Sequence, residues 1–161
     1  MSSDFVHLHL HTEFSLLDGA CRIGELLDQA ARLEMSSLAV TEHGNLFSAI
    51  NFHDQARKRG INPIIGCEVY VAPGSRLKKS GIPGETANHL VLLATNQVGY
   101  HNLIKLVSAG YTEGFYYKPR IDKDLLAQHA SGLIGLSSCL KGEVASHLRF
   151  DQPQRAVTAA A

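Results

Sequence analysis

Three histidines at every second position, His7, His9 and His11, alternate with Val6, Leu8 and Leu10. In an extended strand successive side chains point to opposite faces, so this spacing puts three imidazoles on one face and apolar residues on the other. Such a face packs poorly into a core but makes a rigid mount for a metal ion. Asp18, followed by Gly19, adds a carboxylate on a turn signal shortly afterwards.

Further ligand-type residues recur downstream. The apolar run Leu38-Ala-Val-Thr ends in Glu42 and His43 before Gly44, Glu68 sits inside a run from Ile64 to Ala72, His89 opens another, and Cys139 closes a run from Leu133. In parallel α/β architectures functional residues collect at the carboxyl ends of strands. His11 with Asp18, then His43, then Cys139 follow that pattern, while Glu68 and His89 stand within or before their strands. Imidazole, carboxylate and thiolate together suit Zn, Mn or Fe better than Mg or Ca. Clustered divalent ions stabilise both the attacking and the leaving oxygen in phosphoester hydrolysis.

The elements that must position these residues follow from periodicity. Ile23, Leu26, Leu27, Ala30, Ala31 and Leu33 recur at helical spacing, and a second helix covers Leu46 to Ala56, closing at Lys58-Arg59-Gly60. Pro73 to Ala87 has the composition of an exposed loop. A helix is expected over Tyr100 to Val107, a short one capped by Asp122 through His129, and another over Glu143 to Arg149. Five apolar strands (5–11, 38–44, 64–72, 89–95 and 133–139) alternating with helices predict parallel βα units. Arg155 to Ala161 carries no stop signal, so the sequence is expected to break off within a helix and to be the front part of a longer protein.

Composition sets bounds. The 161 residues suit one domain, with 45% hydrophobic and 19% charged residues. A formal net charge of zero argues against nucleic-acid binding driven by bulk electrostatics. No apolar run is long enough for a membrane span and no signal peptide is visible, so a cytoplasmic protein without membrane contact is expected. Cys21, Cys67 and Cys139 form no CxxC pair; the first two are expected to be buried small hydrophobes in a reducing compartment.

His9-Leu-His-Thr-Glu-Phe-Ser, Thr41-Glu-His-Gly, Gly66-Cys-Glu-Val-Tyr and the later His89 and Cys139 resemble the PHP (polymerase and histidinol phosphatase) family. Within it, Phe14-Ser-Leu-Leu-Asp-Gly-Ala, Asn88-His-Leu-Val-Leu-Leu-Ala and Gly114-Phe-Tyr-Tyr-Lys-Pro-Arg-Ile-Asp are similar to the amino-terminal region of bacterial replicative DNA polymerase alpha subunits. The resemblance covers essentially the whole chain. It implies a distorted seven-stranded, TIM-like (β/α) barrel, of which residues 1–161 form the amino-terminal part with about five βα units. It places metal ligands at His9, His11, Asp18, His43, Glu68, His89 and Cys139, the first five also serving catalysis, around a divalent cluster of two to three ions in the complete domain. The activity implied is metal-dependent phosphodiester hydrolysis, in 3′–5′ proofreading of a DNA primer end. The partners implied are DNA, the remaining polymerase domains and other replisome subunits. The family completes its site with a later Asp and His that these 161 residues lack, so this piece alone is expected to fold loosely and to be inactive. A separate small-molecule phosphatase and a metal-stabilised, non-catalytic scaffold are the competing readings.

Neighbouring residues have plainer expectations. His7 is expected in a core hydrogen-bonding role, and His53, His101, His129 and His147, in helical patterns, as surface or packing residues. Glu42 either orients a ligand or caps a strand end. Lys118 and Arg120, beside Tyr116 and Tyr117, either meet a DNA phosphate and a stacked base or are ordinary loop charges.

Overall fold

The computed structural model describes residues 5–16, 18–79 and 87–161. The chain runs α1 (Ile23–Arg32), β1 (Ser37–His43), α2 (Ala49–Lys58), β2 (Asn62–Val71), β3 (Asn88–Ala94), α3 (Gln97–Thr112), β4 (Arg120–Ile121), α4 (Lys123–Gln128), β5 (Leu133–Leu136), α5 (Glu143–Arg149) and α6 (Pro153–Ala160). Local signals explain several boundaries. The Asn96 side chain accepts from the Gly99 amide to start α3, and Asp122 accepts from the Leu125 amide to start α4. Gly60, at φ 73°, follows the last turn of α2, where a left-handed residue ends a helix without steric cost.

The α/β class is as expected, but the sheet is mixed. β1 and β2 are parallel, β3 runs antiparallel to both β2 and β5, and β4 pairs parallel with the end of β2 beyond β1. Uniformly parallel βα units are therefore not what the chain forms. The physical reason is the connection after β2: no helix was legible between Pro73 and Ala87, and without a helical crossover the next strand returns antiparallel. Residues 80–86 of that connection lie outside the described residues.

The segment carrying the first histidines also departs from expectation. Residues 5–11 lie along β1, with the Ala39 amide donating to the His7 carbonyl (3.0 Å) and the Thr41 amide to that of Leu10 (2.8 Å), yet the chain bends at His9 and forms no continuous ladder. His7 is consequently exposed, edge-on to Phe5, and not in the core.

Alternation divides the sheet into two faces. Leu38 and Val40 pack with Ile23, Leu27, Phe52 and Ala56 beneath α1 and α2, while Cys67, Val69, Val71 and Leu92 pack with Leu103, Leu106 and Leu125 of α3 and α4. The opposite face carries Ala39, Val91 and Leu93 with Ile64 and Leu136. Further along that face toward one end of the sheet, the apolar residues give way to His43, Glu68, Tyr70 and His89.

Candidate metal centre

Glu68 is the hub. Its side chain is 1% exposed, yet two strands and an extended segment bring imidazoles to it. His9 Nε2 lies 2.6 Å from Oε2 and His11 Nε2 3.7 Å from the same oxygen, while His89 Nδ1 and His43 Nδ1 lie 2.6 and 3.0 Å from Oε1. His43 pairs with Glu68 across the parallel β1–β2 register. His89 reaches it because β3 is reversed: the first residues of an antiparallel strand sit at the same edge as the last residues of its parallel neighbours, with His89 opposite Tyr70. The reversal thus reconciles a ligand-type residue at a strand start with a site at strand ends.

Asp18, mostly exposed, meets His43 Nε2 at 3.0 Å. Its turn closes because Gly19 has no side chain: a Cβ there would fall 1.8 Å from the Thr12 carbonyl oxygen. On the other side Cys139 Sγ lies 3.7 Å from His89 Nδ1. The His11 and His43 rings are stacked with centroids 3.9 Å apart. All seven expected positions therefore come together at one end of the sheet.

The electrostatics are those of a carboxylate held among imidazoles. Burial opposes ionisation of Glu68, but the surrounding His43, His89 and His9 overcome it and hold its carboxyl well below the ordinary range. Contact with Glu68 raises the His43 pKa against the effect of burial. His11 is shifted down, by burial first and by charge repulsion from His43 second. Tyr70, behind the site, is pushed up to about 12 by burial and by the Glu68 charge.

The donor set fits a metal. His9, His11 and Glu68 each offer an atom within 4.8 Å of the others, and so do Glu68, His89 and Cys139. Glu68 Oε1 and His43 Nδ1 are buried and in contact, but no aligned hydrogen bond satisfies either. Lone pairs crowded at contact distance without hydrogen-bond alignment are what a cation's ligands look like.

A second carboxylate lies just behind. Glu42 is buried and accepts from the Thr12 amide at 3.1 Å and from the Thr12 and Ser15 hydroxyls. Ser15 Oγ in turn accepts from the His43 amide at 3.0 Å, and the Ser15 carbonyl accepts from the Gly19 amide at 2.8 Å. Of the two sequence readings of Glu42, the geometry matches the orienting one: it ties the chain after His11, the turn toward Asp18 and the end of β1 into one unit. Thr12 and Ser15 were legible only as part of a motif. Ser138 was not legible at all; its hydroxyl donates to Glu68 Oε2 at 3.2 Å from a backbone at φ 63°, a conformation with no sequence signal outside glycine and asparagine.

Other expectations separate. Arg120 is buried, and its guanidinium donates to the carbonyls of Gly114, Arg76 and Lys78 while lying over the Tyr116 ring. Those bonds use its Nε and Nη2 donors and the side chain is buried, so it ties loops together and is not placed to meet a phosphate. Lys118 remains exposed. Cys67 is buried as expected, its thiol donating to the Glu42 carbonyl and its pKa raised by burial, whereas Cys21 is exposed. His53 and His101 are surface residues bonded within their own helices, and His147 bonds Gln152 just beyond its helix.

A buried carboxylate ringed by imidazoles at one end of a mixed α/β sheet defines a class, the histidine-rich candidate metal site. The chain belongs to the PHP domain family, whose model matches residues 7–161. It is 52% identical over 141 residues to the DNA polymerase III subunit alpha of Borreliella burgdorferi, an alignment covering 87% of this chain and 12% of that protein. The same subunit of Chlamydia trachomatis is 51% identical over 142 residues, covering 88% of this chain and 12% of its own length. The chain thus spans about an eighth of the curated relatives it matches. Among solved structures, an amidohydrolase from Chromobacterium violaceum is similar at a TM-score of 0.47 and 27% identity, covering 65% of this chain and 32% of that one. Among the described residues no helix is long and apolar enough to cross a membrane.

Proposed function

We propose that residues 1–161 form the amino-terminal part of the PHP domain of a replicative DNA polymerase alpha subunit, and that the site hydrolyses phosphodiesters in 3′–5′ removal of mispaired primer ends. The observation that carries the chemistry is Glu68: a buried carboxylate contacted by His9, His43 and His89 within 3.0 Å, with Asp18 and Cys139 on the flanking imidazoles. The relatives named above support the polymerase setting, with DNA, the remaining polymerase domains and other replisome subunits as partners in the cytoplasm.

His9, His11 and Glu68 would hold one ion and Glu68, His89 and Cys139 another, with His43 and Asp18 completing the set. Divalent ions of the Zn, Mn or Fe type, once bound, supply Lewis acidity toward phosphate oxygens and an activated water. The chain's own residues do the rest. Glu68 offers both oxygens to opposite halves of the ligand set, and burial by the strands keeps bulk water from competing for it. Asp18, exposed and hydrogen-bonded to His43, stands at the mouth, where its carboxylate can take a proton from the attacking water, while the departing 3′ oxygen gains its proton from solvent.

The test is metal analysis and a mismatched-primer nuclease assay on the full-length protein and on His11→Ala. Bound divalent metal, with mismatch removal abolished in the variant and polymerisation largely intact, is the expected result. Normal mismatch removal by the variant would leave the scaffold reading in its place. Polymerisation lost together with nuclease activity would mark the metal as structural.

A further inference from the structure

The segment Gly114 to Arg120 forms a hook fastened to the candidate metal centre, with the Tyr117 ring turned out to solvent against the edge-on ring of Tyr116. The Tyr116 amide donates to the Lys118 carbonyl at 3.0 Å, closing a tight turn with Tyr117 at its tip. Arg120, anchored on three carbonyls, lies over the Tyr116 ring at 5.1 Å. Pro119 packs where Gly44, the residue after His43, has no side chain; a Cβ on Gly44 would be 2.8 Å from Pro119 Cγ. The Lys118 ammonium sits 5.3 Å from the centre of the Tyr70 ring, and that ring lies edge-on to His89 at 5.1 Å and alongside His43 at 6.4 Å.

Tyr117 itself is 83% exposed and sits at φ 59°. A bulky aromatic in the left-handed region is a backbone outlier, and a hydrophobic ring held outward in it gains nothing from burial. Strain of this kind persists only where surrounding structure fixes it, and it clusters at ligand-contacting positions. The flanking fastenings supply that fixing. The backbone is thereby fixed, and the edge-on Tyr116 ring, its centroid 4.7 Å away, braces the exposed Tyr117 ring where a base can stack on it.

We propose that Tyr117 and Lys118 form the strand-binding rim of the metal centre, Tyr117 stacking on a base of single-stranded DNA and Lys118 meeting its backbone phosphate. Stacking is indifferent to base identity, because every base has a π face, so the rim selects a polynucleotide end over a small phosphomonoester without reading sequence. The inference rests on the phosphodiesterase reading for its substrate class, but it concerns holding the strand and not cutting it.

Photocross-linking tests it without turnover. Full-length protein in EDTA is irradiated with an oligothymidylate carrying 5-iododeoxyuridine near its 3′ end, and the adduct is mapped by mass spectrometry. The expected adduct is on Tyr117. Tyr117→Phe should retain it, Tyr117→Gly should lose it about tenfold while keeping the left-handed turn, and Lys118→Ala should lower its yield severalfold. Adducts mapping only elsewhere, or an unchanged yield in Tyr117→Gly, would overturn the proposal. Loss in Tyr117→Phe equal to that in Tyr117→Gly would overturn stacking as the contact. A stacked strand with no metal-dependent cleavage would instead count against the phosphodiesterase reading alone.

Discussion

Glu42 and Glu68 make an instructive pair. Both are 1% exposed, on adjacent parallel strands one register step apart, yet alternation sends them to opposite faces of the sheet. Glu42 is surrounded by an amide and two hydroxyls that donate to it. Glu68 is surrounded by imidazoles, each able to turn a lone pair instead of a proton toward a common centre. The first carboxylate is satisfied by the protein itself; the second sits among groups that share a cation better than they share hydrogens. Burial alone does not separate a structural acid from a site acid, whereas the chemistry of the partners does.

The comparison can be broken most forcefully at Glu68. Glu68→Gln removes the charge common to both donor groups, and divalent metal affinity measured by calorimetry should fall more than about 100-fold, with the circular dichroism of the metal-free protein little changed. An affinity within a few-fold of wild type would show that the imidazoles bind without it.

Glu42→Gln should invert the profile. An amide accepts less strongly and leaves a buried hydroxyl poorly paired, costing about 2–3 kcal/mol, or roughly 5–10 °C in Tm for a protein of this size. Metal affinity should fall about tenfold, because His11, Asp18 and His43 lose their common anchor. A melting temperature within a degree or so of wild type would remove the distinction between the two acids.

The smallest effect is one of pH. Without metal, His43 has a raised pKa, so the stability it gives is complete below the ordinary value of 6.5 and is lost as pH climbs through the folded value. His11, shifted down, acts oppositely and costs stability as pH falls below 6.5. The two act on either side of pH 6.5, so the metal-free stability peaks there within the window from about pH 6 to 8. Metal binding needs neutral imidazoles, so the rise in Tm on adding Mn or Zn should grow across the same window, with His43 deprotonating after His11. A metal-induced rise that is flat from pH 5.5 to 8 would mean that these imidazoles are not ligands.

The ligand-type residues were legible because strands and helices announce themselves by period, and because metal chemistry draws on few side chains. His9, His11, Asp18, His43, Glu68, His89 and Cys139 stood out by residue type, the family resemblance singled them out as the ligand set, and all meet at one end of the sheet. What was not legible depends on three-dimensional context. The reversal of β3 arises from the connection before it, which periodicity does not describe. The bend at His9 turns His7 out to solvent although its spacing matches that of the other two. The short strand β4 is too brief to carry a pattern, and Arg120 looked like a free loop cation until its three carbonyl partners were placed. Ser138 owes its contact to a left-handed backbone that its own residue type does not favour.

The reversal of β3 has a further consequence. Val71 and Asn88 are register partners, so the chain leaves the sheet and re-enters it at adjacent points beside the imidazole ring. The sheet's hydrogen bonding is indifferent to how much polypeptide joins those two points, and doubling such a connection costs only about 0.6 kcal/mol in closure entropy. The position is therefore an open splice point beside the candidate metal site: an engineer can graft a module into it and change what approaches the site while His43, Glu68 and His89 stay in place.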